Sequence, residues 1–222
     1  MYDSIQLTAS DGHRLAAYVA EPTGKPRGAL VVVQEVFGVN SHIRAVADGF
    51  AADGYRCIAP ALFDRVEPGV EIGYTPEDIK RGIELRAGCT REAALLDIGA
   101  ALAHVASAGR AGIVGYCWGG TLAFVSACEL DGLSAAVSYY GGGIAEVANA
   151  KPKCPVMAHF GESDASIPMT AVDTFRAAQP QAEVHLYPAG HGFNCDQRGS
   201  YDAASAKLAR ERTLRFFQSH VG

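Results

Sequence analysis

The chain lacks any apolar run near the about 18 consecutive residues that a membrane-spanning helix needs. It also lacks a lysine or arginine block, and 19 basic against 24 acidic residues leave a net charge of −5 at pH 7. That balance argues against nucleic acid or a membrane surface as partner. No C-x-x-C or other paired spacing occurs among the six cysteines, so no metal is expected. His191 and Cys195 could be drawn as two ligands, but nothing in the sequence supplies a third and fourth. The N-terminal stretch has no basic segment followed by an apolar one, which leads us to expect a cytoplasmic protein with reduced thiols. No internal repeat, linker or low-complexity segment interrupts the chain. What is present is an ordinary globular composition, 49% hydrophobic and 19% charged over 222 residues, and residues 1–222 are expected to form one domain.

The apolar pattern alternates strands with helices. Ser4 to Thr8 and Arg14 to Ala20 flank Asp11-Gly12, a turn dipeptide, and read as an antiparallel hairpin at a sheet edge. Ala29 to Val33 is continuously apolar, as in a strand buried on both faces. A helix over Ser41 to Asp53 and a strand over Tyr55 to Ala59 follow. Glu77 to Ser107 carries helical periodicity in two pieces broken near Gly88. Further strands fall at Ala111 to Tyr116, Ala135 to Tyr139, Val156 to Phe160 and Val184 to Tyr187. Helices are expected at Thr121 to Glu129, Met169 to Ala178 and Asp202 to Gln218. Repeated β-α-β units predict an α/β fold: a mostly parallel, doubly wound sheet of about eight strands with an antiparallel N-terminal edge and helices on both faces. Ligands bind such sheets at the carboxyl ends of the strands.

Cys117 stands just after one of those strands, in Gly115-Tyr-Cys117-Trp-Gly119-Gly120. The pattern G-x-C-x-G-G between strand and helix is that of a nucleophile elbow with cysteine in the serine position. The turn is sharp enough to exclude side chains two residues either side, and the following helix presents its N-terminus to a developing anion. Asp164, in Gly161-Glu-Ser-Asp164, and His191, in Gly190-His191-Gly-Phe-Asn194, each follow a later strand. Taken singly, Cys117 could be a buried structural cysteine, Asp164 a turn residue and His191 a loop histidine. Taken together, in the order nucleophile, acid, histidine, they point to catalysis: His191 would take the thiol proton and Asp164 would orient the imidazole. His159 and His185 lie within strands and are expected to be hydrogen-bonded structural residues.

Gln34-Glu35-Val36-Phe37-Gly38-Val39-Asn40, the elbow, Ser138-Tyr-Tyr-Gly141, Gly161 to Asp164 and Gly190 to Asn194 span nearly the whole chain. In this order they resemble the dienelactone hydrolase (carboxymethylenebutenolidase) family, a branch of the α/β-hydrolases acting in aromatic hydrocarbon catabolism. The resemblance implies an α/β-hydrolase fold without a large lid, no cofactor, a Cys117-His191-Asp164 triad, and an oxyanion hole from the N–H groups of Val36 and Trp118. It also implies that Glu35 pairs with the cysteine at rest and releases it when a substrate carboxylate arrives, so that Glu35 gates the nucleophile. Two arginines bind that carboxylate in the family. Arg81 and Arg86 stand near the place of the first; at the place of the second, four residues after His191, this chain has Cys195, with Arg198 three residues beyond as the substitute. Phe37, Trp118 and Tyr139 are expected to wall the pocket. The implied reaction is the opening of a small lactone or ester by a monomer or weak homo-oligomer. A general carboxylesterase or thioesterase, and a non-catalytic binding or redox-sensing protein on the same fold, are the rival readings.

Overall fold

The computed structural model describes residues 4–222. Eight strands form one sheet: β1 Ser4–Thr8, β2 Arg14–Ala20, β3 Gly28–Val33, β4 Tyr55–Pro60, β5 Ala111–Tyr116, β6 Leu133–Tyr139, β7 Val156–Gly161 and β8 Glu183–Tyr187. Their spatial order is β1-β2-β4-β3-β5-β6-β7-β8. β1 pairs antiparallel with β2, and β2 antiparallel with β4; every other pairing is parallel. The expected hairpin edge and parallel centre are both present.

Six α-helices lie among the described residues: α1 Ser41–Ala52, α2 Pro76–Gly88, α3 Arg91–Val105, α4 Trp118–Glu129, α5 Met169–Ala178 and α6 Ala203–His220. Their starts are written locally. Asn40, Thr90 and Asp202 accept from the backbone of Ile43, Ala93 and Ser205. Thr75 and Asp78 form a reciprocal capping box, with Pro76 in the first turn of α2. Every residue of β3 and β5 is buried, so these central strands need cover on both faces. Helix α4 begins at Trp118, three residues before the expected Thr121, because it springs directly from the turn after β5. Among the described residues no helix is long and apolar enough to cross a membrane.

One buried ion pair ties the N-terminal hairpin to the body. The Arg65 guanidinium donates from Nε and Nη2 to both carboxylate oxygens of Asp97 on α3, at 2.8 and 2.7 Å. Its Nη1 also donates to Asp11 in the β1–β2 turn at 2.7 Å. The Asp97 side chain is fully buried, so solvent does not compete for its carboxylate oxygens. His159 is also internal, hydrogen-bonded to the Tyr187 hydroxyl at 2.8 Å and to Thr213 at 3.0 Å, the structural role expected of it.

Candidate active site

Cys117 joins β5 to α4 with φ +55° and ψ −119°, a conformation that costs a non-glycine residue about 1–3 kcal/mol. The turn survives because its neighbours are glycines: a Cβ on Gly115 would stand 1.9 Å from the Gly119 carbonyl oxygen. The Cys117 N–H also donates to the Tyr139 carbonyl at 3.0 Å, which anchors the elbow to β6.

Asp164 and His191, from the loops after β7 and β8, meet Cys117 in a continuous chain. His191 Nδ1 lies 2.7 Å from Asp164 Oδ2, and His191 Nε2 lies 3.2 Å from Cys117 Sγ. The Asp164 side chain is buried, and its other oxygen accepts from the Ser166 N–H at 2.8 Å. Burial opposes charge on His191, but the hydrogen bonds to Asp164 and Cys117 outweigh it and push its pKa up to about 10. The linked stability is therefore complete below about pH 6.5, the ordinary histidine value, and is lost as pH rises through about 10. The urea midpoint of this protein should accordingly fall further than that of His191→Gln between neutral pH and pH 10. Parallel declines in a pH series would contradict the assignment.

Cys117 and His191 open on a cavity of about 480 Å³ that is walled also by Val36, Phe37, Trp118, Arg86 and Arg198. Trp118 is the first residue of α4, where N–H groups have no intrahelical acceptor. The Val36 loop is held from outside by α2. At Gly82 the helix backbone comes so close that a Cβ would stand 2.1 Å from the Val36 carbonyl oxygen. The same helix brings Ile79, Ile83 and Arg86 to the cavity.

Of the two candidate arginines on α2, only Arg86 lines this cavity; Arg81 is half exposed and donates to Glu67 at 2.6 Å instead. Tyr139 does not wall the cavity either. Its ring is buried in the core and its hydroxyl lies 2.7 Å from Thr213 Oγ1. The next residue, Tyr140, is the one that reaches the site: with φ +39° it turns its ring edge-on to His191, centroids 5.2 Å apart. Its signal was its position immediately after β6, the rule that found Cys117.

Arg198, the residue expected to substitute for the arginine that Cys195 replaces, lines the same cavity as Cys117 and His191. Its guanidinium lies against Gly192, the residue after His191, 5.5 Å from the Phe37 ring centroid and 5.9 Å from that of Tyr74. Its Nη1 is 3.6 Å from a carboxylate oxygen of Glu35. Glu35 has no exposed surface, and neither oxygen accepts a hydrogen bond. Burial raises its pKa, with His42, Arg198 and His191 pulling the other way. The thiol hydrogen bond thus runs to His191, while the ion-pair partner of Glu35 is Arg198.

Sequence reasoning gave no role to His42. One atom each of Glu35, His42 and Cys195 lie within 4.8 Å of one another, all three residues buried. The fixed positive charge of Arg198 beside Glu35 opposes a metal cation in that cluster. Cys195 is buried, and burial pushes its thiol up to about 11.

Comparison with known proteins gives one consistent picture. A profile described as "Dienelactone hydrolase family" matches residues 15–221. A carboxymethylenebutenolidase of Pseudomonas putida is 33% identical over 227 residues, covering 96% of this chain and 95% of its own. A provisionally named carboxymethylenebutenolidase of Synechocystis sp. is 36% identical over 229 residues, covering 94% of this chain and 93% of its own. Among solved structures, a provisionally named dienelactone hydrolase from Klebsiella pneumoniae superposes with a TM-score of 0.86 at 33% identity, covering 99% of this chain and 100% of its own. A Pyrococcus furiosus esterase, 14% identical with a TM-score of 0.73, shares the fold and covers 100% of this chain and 93% of its own. With the match running from β2 to the end of α6, and with relatives of the same length on the same fold, the chain belongs to the dienelactone hydrolase family.

Proposed function

We propose that this protein opens a small carboxylate-bearing lactone or activated ester, with dienelactone as the leading substrate, through a thioester on Cys117. The observation that carries the reading is the hydrogen-bonded chain Asp164-His191-Cys117 at a cavity that also holds Arg86 and Arg198. With the proton of the Cys117–His191 pair held on His191 Nε2, the Cys117 thiolate attacks the lactone carbonyl, forming a C–S bond. The oxyanion is received by the N–H groups of Val36 and Trp118, donors of a kind worth about 3–4 kcal/mol each in the barrier. Collapse breaks the ring C–O bond and gives the leaving oxygen the His191 proton. His191 then deprotonates water, which attacks the thioester; the C–S bond breaks and the Cys117–His191 pair has its proton again. For a dienelactone the product is maleylacetate, and its enol leaving group is good enough for a thiol nucleophile.

A substrate carboxylate would draw Arg198 away from Glu35. The buried Glu35 then becomes a better proton acceptor, and in this reading it gates the nucleophile. The six free cysteines suit the reducing cytoplasm, where we place the reaction.

Ring opening of cis- or trans-dienelactone, followed by loss of its ultraviolet absorbance, tests the reading directly. Turnover of p-nitrophenyl acetate alone would favour a general esterase, and no turnover at all with a reactive Cys117 would favour a binding or redox role. Arg198→Ala should raise KM for dienelactone about 10–100-fold, the loss of a charge-assisted contact, and affect a neutral ester much less. Equal losses on both substrates would remove Arg198 from carboxylate recognition.

A further inference from the structure

Resting on the reading of Glu35 given above, a further question concerns its proton. When Arg198 turns to substrate, Glu35 loses its ion-pair partner and has no hydrogen-bond donor, so burial drives it toward the neutral acid. That proton has to leave again before Arg198 can return. The cavity in front of Cys117 is occupied by substrate during this step.

The groups that face Glu35 are Arg198, His42, His191, Tyr74, Tyr116, Tyr140 and Cys195. Arg198 stays charged, and burial holds the three phenols and the Cys195 thiol protonated at neutral pH. His191 is committed to Asp164 and Cys117. His42 is the remaining imidazole, the side chain type that carries protons near neutrality. Its Nδ1 lies 3.2 Å from Asp196 Oδ1, while Nε2 is buried and has no hydrogen-bond partner. One of its ring nitrogens is within 4.8 Å of a Glu35 oxygen, a distance that one water molecule can bridge. Asp196 is 65% exposed, so the line ends in solvent. His42 and Asp196 also line a second cavity of about 360 Å³, which shares no lining residue with the one at Cys117.

We propose that Glu35 exchanges its proton with solvent through His42 and Asp196, by way of this second cavity. The Glu35 proton passes to Nε2 of His42 as the Nδ1 proton passes to Asp196 and on to water; when Glu35 next takes up a proton, the two transfers run in reverse, drawing it from solvent and restoring the starting imidazole tautomer. His42 acts through Glu35 and touches no reacting atom.

The test is chemical rescue. His42→Ala should lower kcat for dienelactone about 10-fold in dilute buffer. Imidazole, which the second cavity can admit, should restore it in a concentration-dependent and saturable way. Asp196→Asn, at an exposed position that leaves the fold alone, should give a smaller loss in the same direction. In a Glu35→Gln background His42→Ala should add nothing. Wild-type rates in both the His42 and Asp196 variants, with Glu35→Gln impaired, would overturn the relay and leave the gating role of Glu35 standing. A loss that imidazole does not repair and that persists with Glu35→Gln would make His42 purely structural and overturn it as well. Glu35→Gln with unchanged turnover and unchanged thiol alkylation across pH would remove the gating role and the relay together.

Discussion

Replacing Cys117 with alanine lowers kcat/KM on every hydrolysed ester by about 10⁴-fold or more, while the protein stays folded and the unfolding midpoint falls only by the lost His191–Cys117 contact. The two halves of this expectation have separate causes. Chemistry is lost because no other nucleophile adjoins His191 Nε2, whose partner in the site is Cys117 Sγ. Stability is largely kept because alanine retains the Cβ and loses only the sulfur, which lines the cavity and, among the described residues, hydrogen-bonds to His191 alone. The strain of φ +55° is imposed by the glycine-packed turn and is the same for either residue. Steady-state assays on dienelactone and p-nitrophenyl acetate, with urea denaturation alongside, measure both halves. Retention of more than about 1% of activity would show that the acyl group is not carried by Cys117.

The largest effect on stability is expected far from the chemistry. Asp97→Ala should cost about 3 kcal/mol, the lower end of the cost of breaking a buried pair, because Arg65 keeps its second partner Asp11. What is lost is a bidentate contact at a carboxylate with no solvent exposure, leaving a guanidinium that is only 14% exposed without its main partner. The urea midpoint should fall with little change in the slope of the transition, and activity at low temperature should remain near that of the parent, since Asp97 lines neither cavity. A change below about 0.5 kcal/mol would mean that solvent replaces the pair on Arg65 at no cost.

The strands and the elbow were legible in the sequence because their information is local. Ala29 to Val33 and Ala111 to Tyr116 are continuous apolar runs, and the glycines around Cys117 are adjacent to the residue they serve. Arg198 was harder to place. Its position depends on consecutive backbone turns, Cys195 N–H to Gly192 O and Arg198 N–H to Cys195 O, that fold the loop back onto its own start. A spacing of seven from His191 does not encode that direction. Tyr139 and Tyr140 differ by one residue, yet one completes a strand in the core and the other turns through a positive φ toward His191. His42 looks in sequence like any residue of an N-terminal helical turn. Its place behind Glu35 arises only when α1 packs beside the loop that follows β8.

The contact of Gly82 with the Val36 carbonyl bears on how this protein can acquire new substrates. Helix α2 supplies three cavity residues on one face and presses bare backbone from the same face onto the loop that carries Val36, the proposed oxyanion donor. In the proposed reaction, selectivity and transition-state stabilisation are therefore mechanically joined in one helix. A library that varies Ile79, Ile83 and Arg86 can explore ring size and charge while Gly82 is kept. Once position 82 carries a side chain, the loop shifts, and variants with a better-fitting pocket would be discarded for slow chemistry.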